Sequence, residues 1–540
     1  MQHRSGARWA VPALPSDHVK SGPFAPFGIP AFAVLWTATV ISNVGTWMHE
    51  IGAGWLMTSL NPSPLMVAAV QSATALPIFI FALPAGALAD LVDRRQLLLR
   101  LQIGMAVVAV LMALVVALDG MSAPVLLIFT FALGAGTAFL APAWQAIVPG
   151  LVPRDQLPAA IALNSIGINI SRAIGPALGG AIIVAFGIAW PFILNAVSFL
   201  AVIAALIWWQ GEAQAKSHLP AERFFEAMRS GIRYARASKP LRHTLARAIG
   251  FFFFASAFWA LLPLIVRQEL AGDASLYGIF LGCVGAGAVT GAFVLNPLKT
   301  RFNADQIVAM GTGLMAGVLL VFAITSVHLI LGTAAFLAGT AWIAVLANLN
   351  VSAQTSLAEW VRARGLSVFI AVFFGAMTLG SLTWGQLASL TSIPVTLAAA
   401  AAGASIAIAL TRKFHLQQGA KLDLSPSMHW PEPIIEAELA ADQGPVVITV
   451  DYQIADGQMG DFLAAMQMLK QERLGLGAFA WSLAEDLEKP GQMLETFHEA
   501  SWLAHQRHHE RVTEAGRALQ ARIRQTLSCD PIVRHLIIRT

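Results

Sequence analysis

The chain has 540 residues, of which 57% are hydrophobic and only 12% charged. A soluble protein carries about 25% charged residues, so this composition excludes a soluble enzyme as the whole molecule. Cys283 and Cys529 are far apart and exclude a disulfide framework. The net charge of +4 says little until its distribution along the chain is read.

In chain order, residues 1–28 form an N-terminal segment without the compact apolar core of a secretory signal. Apolar runs of about 20 residues, enough to cross a hydrocarbon core roughly 30 Å thick, then recur as far as Leu410. The predicted spans are 31–57, 64–88, 96–118, 123–148, 160–185 and 188–209, within a first unit of residues 29–210. Residues 211–246 form a basic loop, and 247–267, 276–298, 306–326, 328–350, 365–389 and 393–411 complete a second unit of residues 247–413. Gly and Pro inside these runs do not exclude helix, because neighbouring helices satisfy the freed backbone groups.

Lys and Arg set the expected orientation. Arg94, Arg95, Arg154, Lys299, Arg301, Arg362, Arg364, Arg412, Lys413 and the eight basic residues from Lys216 to Arg247 all fall on one side. The opposite side has Arg267 as its one basic residue. Both termini and the central loop are therefore expected in the cytoplasm, with the chain multi-pass in the cell membrane. Within the loop, "RFFEAMRSGIRYARAS" spaces Phe and Ile against Arg like an interfacial helix that binds anionic lipid rather than nucleic acid.

The halves echo one another. "WQAIVPGLVPRDQL" aligns with "AQTSLAEWVRARGL" at an offset of 209, and "SPLMVAAV" with "SLYGIFLG" at about 211. Two six-helix units flanking a midplane site are the architecture of alternating-access transporters. No Walker-type phosphate loop appears, which argues against an intrinsic ATP-driven pump.

Residues 414–444 read as a Pro-containing linker, and 445–540 as a soluble domain. "VVITVDYQI" alternates like a strand, "GQMGDFLAAMQMLKQERLG" repeats at helical spacing, and "AFAWSLAEDLEKPGQMLETFHEA" reads as two strands joined at a turn. One amphipathic helix, "SWLAHQRHHERVTEAGRALQARIRQTL", capped by Ser501, and a last strand, "PIVRHLII", complete a β-α-β-β-α-β, ferredoxin-like order. The expected fold class is thus an all-α membrane protein of twelve helices in two pseudo-symmetric halves plus an α+β tail. On that tail helix His505, His508 and His509 share one face, near His498. They are expected to be a solvated polar face, since no Cys or carboxylate constellation joins them; no metal or cofactor is expected.

Between spans two and three, "GALADLVDRR" places four charges in a turn between oily segments. It resembles the Gly-x-Leu-Ala-Asp-Arg-x-Gly-Arg-Arg loop of the major facilitator superfamily at Gly86, Leu88, Ala89, Asp90, Arg94 and Arg95. It departs at Leu91 and at Asp93, where glycine is usual. The resemblance implies a gating loop: Gly86 allows close packing, Asp90 bonds a helix N-terminus in the other half, and the arginines hold the interface. In span five, Gly175, Pro176, Gly179 and Gly180 resemble the Gly-Pro-x-x-Gly-Gly motif of exporters in that superfamily, with Ser171 where glycine is common.

Thr130 stands where many proton antiporters of that superfamily carry a buried arginine. Arg172, the deepest basic residue, is the expected substitute, with Glu50 as its acidic partner. An intramembrane charge is functional by default, so Glu50 is expected to exchange a proton while Arg172 acts as counter-charge. A static ion pair and a Glu50 hydrated near the surface stay open as alternatives. Trp36, Asn43, Trp47, Gln145, Asn164, Asn169, Asn348, Asn350 and Gln354 are candidate cavity-lining groups.

Residues 29–411 resemble the branch of the superfamily holding enterobactin exporters and macrolide efflux proteins. The tail resembles antibiotic-biosynthesis-monooxygenase-like domains, which pair sheets between two chains and imply a homodimer. The resemblance implies export of a small organic molecule by proton antiport. Two other readings stay open: an importer or uniporter, and a transporter fused to a haem- or metal-dependent monooxygenase-like tail.

Overall fold

The computed structural model describes residues 22–153, 155–209, 224–417, 424, 427 and 442–539. Arg154, most of the expected linker and the first part of the basic loop lie outside the described residues, as does the side chain of Asp90.

Twelve helices among the described residues are long and apolar enough to cross a membrane. The first half is α1 (Pro30–Leu60), α2 (Pro64–Leu91), α3 (Arg94–Ala117), α4 (Ala123–Leu151), α5 (Leu157–Phe186) and α6 (Trp190–Trp208). A short amphipathic helix, α7 (Phe224–Ala237), precedes the second half. That half is α8 (Lys239–Leu264), α9 (Ala274–Arg301), α10 (Ala304–Ile324), α11 (His328–Thr355), α12 (Arg362–Leu390) and α13 (Ile393–Thr411). Local chemistry fixes the starts. Proline sits in the first turn of α1, α2, α4, α5, α6, α8 and α13, where its missing N–H costs nothing. Asp93, Asp273 and Asn303 cap α3, α9 and α10 through their side chains.

The seventh span begins earlier than the hydropathy suggests. Lys239–Arg247 is helical, with Arg247 buried because its guanidinium bonds the Phe414 and Asp305 carbonyls and pairs with the Asp305 carboxylate at 3.3 Å. A charge so satisfied tolerates burial. A single π turn over Ile265–Glu269 then ends the span and carries Arg267.

The loops gather at two ends, a basic end bearing Arg95, Lys299 and Arg412 and an opposite end bearing Arg267. The halves close on each other at the opposite end. Arg267 donates to Thr58 Oγ1 at 2.8 Å and Ser59 Oγ at 2.5 Å, Gln268 donates to the Pro62 carbonyl, and the Leu65 N–H donates to Ser389 Oγ. Towards the basic end α2 stays on α12, where a Cβ at Gly86 would lie 3.0 Å from Ser367 Oγ. Among the described residues, no hydrogen bond joins α4 or α5 to α10 or α11.

The tail is a four-stranded antiparallel sheet, β1 (Val446–Gln453), β2 (Phe479–Glu485), β3 (Gln492–Glu499) and β4 (Ile532–Ile537), in the order β2-β3-β1-β4. Helix α14 (Met459–Leu476) connects β1 to β2, and Phe462, Met466, Leu469 and Phe497 fill the core beneath it. The strand order is that of a split βαβ unit. The expected single second helix is two, α15 (Trp502–Arg511) and α16 (Glu514–Gln525). The break is local: the Val512 carbonyl accepts the Ser427 N–H, and Thr513 turns out to cap the Gly516 N–H. The tail rests on the membrane part through α7. Gly475 lies against Ala237 and Tyr234, and the Arg511 guanidinium stacks 4.3 Å from the Trp360 ring centroid in the α11–α12 connection.

Candidate functional site

Between the halves lies a cavity of about 350 Å³ walled by α1 to α6 on one side and by α8, α9, α11 and α12 on the other. Trp47, Trp259, Trp342 and Phe373 give it aromatic walls; Glu50, Arg172, Thr130 and Asn195 give it polar groups. An apolar pocket with a few polar groups is the usual form of a small-molecule site.

Glu50 and Arg172 face this cavity within electrostatic range of each other, but they close no salt bridge. The Arg172 guanidinium instead lies 5.5 Å from the Trp47 ring centroid, and its Nε has no hydrogen-bond acceptor among the described residues. Pro176, four residues on, cannot donate to the Arg172 carbonyl, so α5 is loosened at that turn. The carboxylate and guanidinium thus line the same chamber from the adjacent helices α1 and α5 without pairing to each other.

The glycines around Pro176 explain why α5 can sit there. A Cβ at Gly175 would lie 2.5 Å from the Trp47 Cβ, and one at Gly179 would lie 3.0 Å from the Met48 Cα, so both serve the contact with α1. A Cβ at Gly180 would lie 2.5 Å from the Ala274 carbonyl of α9 in the other half. The motif therefore packs α5 against one helix in each half at once.

Of the sequence-derived cavity groups, Trp47 lines the chamber and the others lie elsewhere. Trp36 donates to the Leu163 carbonyl, Asn164 accepts from Trp144, Asn169 donates to the Ser165 carbonyl and Asn348 to the Ala344 carbonyl. Gln354 pairs with Asn350, while Gln145 is exposed and Asn43 half-buried outside the chamber wall. In the charged loop, Asp93 accepts from the Gln96 N–H and Arg95 donates to the Leu206 and Ile207 carbonyls, tying α3 to α6. Arg94 sits beside them in the first turn of α3.

Sequence reasoning passed over His49 and Tyr277, both buried in the chamber wall. Among the described residues neither ring nitrogen of His49 finds a hydrogen bond, and its ring meets Phe192 edge-on at 5.1 Å. The signal was its place beside Glu50 in an otherwise apolar span. Tyr277 had none, because a single tyrosine in an oily helix reads as packing.

The histidines of the tail are not a solvated face. His505 and His508 are each 1% exposed, and a carboxylate does join them. Alternation along β3 turns Met493, Glu495, Phe497 and Glu499 inward. His505 Nδ1 lies 3.1 Å from Glu499 Oε2, and His508 Nδ1 bonds Glu499 Oε1. Burial alone would raise the Glu499 carboxyl, but His508 and His505 outweigh it and hold it well below the usual carboxylate range. Burial likewise lowers His508 and His535, and burial with neighbouring imidazoles brings His509 down to about 3. His498 points away, beside Phe479.

The chain is 24% identical over 266 residues to the staphyloferrin A transporter of Staphylococcus aureus, covering 48% of this chain and 65% of that protein. It is 25% identical over 289 residues to an MFS-type transporter of Bacillus subtilis, covering 52% and 68%. It is 24% identical over 289 residues to an enterobactin exporter of Shigella boydii, covering 52% and 67%. Each match thus spans about half of this chain and about two thirds of the relative. In fold the chain is similar to a bacterial homologue of the human lysosomal transporter Spinster in an inward-facing, unoccupied conformation (TM-score 0.52, 15% identity, 72% of this chain and 95% of that one). It is also similar to a POT family transporter in complex with a thioalcohol-conjugated peptide (TM-score 0.59, 12% identity, 71% and 96%). A family profile described as transmembrane secretion effector matches residues 21–540, and the chain belongs to that family of the major facilitator superfamily.

Proposed function

We propose that this protein is a secondary active transporter that exports a small organic molecule, of the siderophore, drug or metabolite class, by alternating access and proton antiport. The observation that carries the reading is the chamber between the halves, in which Glu50 and Arg172 stand apart among tryptophans. A charge in that setting costs about 2.5–3.5 kcal/mol on insertion scales, which favours a functional reason for its presence. Glu50 takes a proton from one side and releases it to the other, while Arg172 stabilises its carboxylate form. One pH unit supplies about 1.4 kcal/mol per proton and 100 mV about 2.3 kcal/mol per charge.

The positive-inside asymmetry supports a cytoplasmic position for the basic end and both termini. The loop from Gly86 through Asp90 and Asp93 to Arg94 and Arg95 gates that end. A second copy of the chain is the proposed partner of the tail; exposed Ile532, Val533 and Leu536 on β4 support this. The relatives' names supply the first substrates to try, staphyloferrin A and enterobactin.

Inverted membrane vesicles containing the protein, given an acid-inside gradient, are expected to take up such a compound. Glu50→Gln is expected to abolish the gradient dependence while leaving substrate exchange measurable. Uptake indifferent to the gradient in the native protein would make it a uniporter or importer instead.

A further inference from the structure

The chamber does not account for the imidazoles in the tail. His505 and His509 stand one turn apart on α15, and His535 comes from β4, paired with Ile448 of β1. One ligand nitrogen from each of the three lies within 4.8 Å of the others. His505 Nε2 and His509 Nε2 are 3.1 Å apart, and the His505 ring centroid is 4.6 Å from that of His509 and 4.8 Å from that of His535.

Glu499 decides which nitrogen is offered. A carboxylate only accepts hydrogen bonds, so a neutral His505 donates Nδ1–H to Glu499 Oε2 and turns its Nε2 lone pair towards His535 and His509, whose Nε2–H it accepts and which must yield that proton to a metal. This carboxylate–histidine pairing is how proteins orient metal-bound imidazoles. Trp502, with its ring 5.3 Å from His505 and 6.2 Å from His535, walls the other side. Tetrahedral coordination with bonds of about 2.0–2.1 Å sets ligand nitrogens roughly 3.3–3.4 Å apart. The His505–His509 pair already has nearly that spacing. His535, half-buried on β4, has to close by no more than about 1.4 Å, a distance a side-chain rotation covers.

We infer that His505, His509 and His535 bind a borderline divalent transition-metal ion, zinc foremost, with Glu499 as the positioning residue. Three imidazoles and no direct oxygen ligand exclude a magnesium or calcium preference. Three protein ligands leave a fourth position for water or an incoming donor, the arrangement of zinc sites that remain open.

The test uses the full-length protein purified in detergent without a polyhistidine tag, loaded with Zn2+ and dialysed. One zinc ion per chain is expected, with a zinc-dependent rise in the melting temperature of the tail. His509→Ala and His535→Ala, both at half-buried positions, are each expected to weaken zinc binding at least tenfold, and Glu499→Gln about 10–100-fold. His328→Ala, at the start of α11, is expected to bind as the native chain does. Native protein loaded with Co2+ separates lost ligands from lost folding: an intense visible spectrum of four- or five-coordinate cobalt is expected. A weak octahedral spectrum, no retained zinc, or undiminished zinc in the His509→Ala/His535→Ala double variant would overturn the site.

Discussion

Gly180 of α5 and Gly278 of α9 meet backbone to backbone across the two halves: a Cβ on either would stand 3.1 Å from the other's Cα. Nothing larger than hydrogen fits without parting the helices, so under the proposed function this contact seals the end of the bundle opposite the basic loops. Gly180→Val is expected to open it. The measurement is proton leak into proteoliposomes without substrate, expected to rise at least several-fold, while Gly104→Val, in open space on α3, leaves it unchanged.

Arg267 fastens the same end by bonding Thr58 and Ser59 and lying 5.5 Å from the Trp55 ring centroid. Hydrogen bonds from a charged group are worth about 1.5–3 kcal/mol when buried, less here because Arg267 is exposed. About 1.4 kcal/mol corresponds to a tenfold population change. Arg267→Ala is thus expected to shift the balance towards the state open at that end by up to about tenfold, read as faster cysteine labelling at position 54 or 277.

Arg172→Ala leaves Glu50 without its counter-charge. The variant is expected to lose gradient-driven transport by at least tenfold, the equivalent of about 1.4 kcal/mol in barrier. Arg172→Lys, which keeps the charge but not the guanidinium's contact with Trp47, is expected to recover part of it.

Glu472 of α14 is half-buried with its carboxylate against Gly516, and its Oε1 has no hydrogen-bond donor among the described residues. Burial raises its carboxyl above the usual range, with Arg473 opposing. The folded tail therefore holds a proton that the unfolded chain has released, and stability falls as pH rises from the unfolded value of about 4.3 through the folded one. Glu472→Gln is expected to raise the melting temperature of the tail at pH 8 and to lose that advantage near pH 4, followed by thermal unfolding across the range.

Trp360 holds the tail to the membrane part through Arg511 and Tyr234. Cation–π contacts contribute about 0.5–2 kcal/mol, so Trp360→Ala is expected to accelerate proteolytic release of the tail severalfold. The spanning helices themselves remain protected.

Hydropathy alone located the spanning helices to within a few residues in most cases, because twelve apolar runs in lipid leave the backbone one solution each. It placed the start of α8 too late because the first turns, with Lys239, Arg242 and His243, are too polar to read as part of a span, although Arg247 just beyond them is paired with Asp305 on another helix. The site was less legible. Trp47, Glu50 and Arg172 stood out as charges and an indole in oil, whereas Asn169 and Asn348 satisfy carbonyls of their own helices and Asn164 accepts from Trp144. The histidine face was misread for a related reason. Helical spacing shows which residues share a face but not what covers it, and here the cover is a strand carrying Glu499. Whether His49 or Tyr277 meets the chamber depends on helix rotation, which one sequence does not state.

The most direct test of two halves rocking about a shared chamber is a pair of spin-label distances in a variant with Cys283 and Cys529 replaced. One pair, Asn61→Cys with Glu269→Cys, spans the end fastened by Arg267; the other, Ala141→Cys with Val351→Cys, spans the basic ends of α4 and α11. As Glu50 is protonated or replaced by Gln, the account predicts reciprocal changes, one distance lengthening as the other shortens. Two distances that stay fixed, or lengthen together, would contradict it.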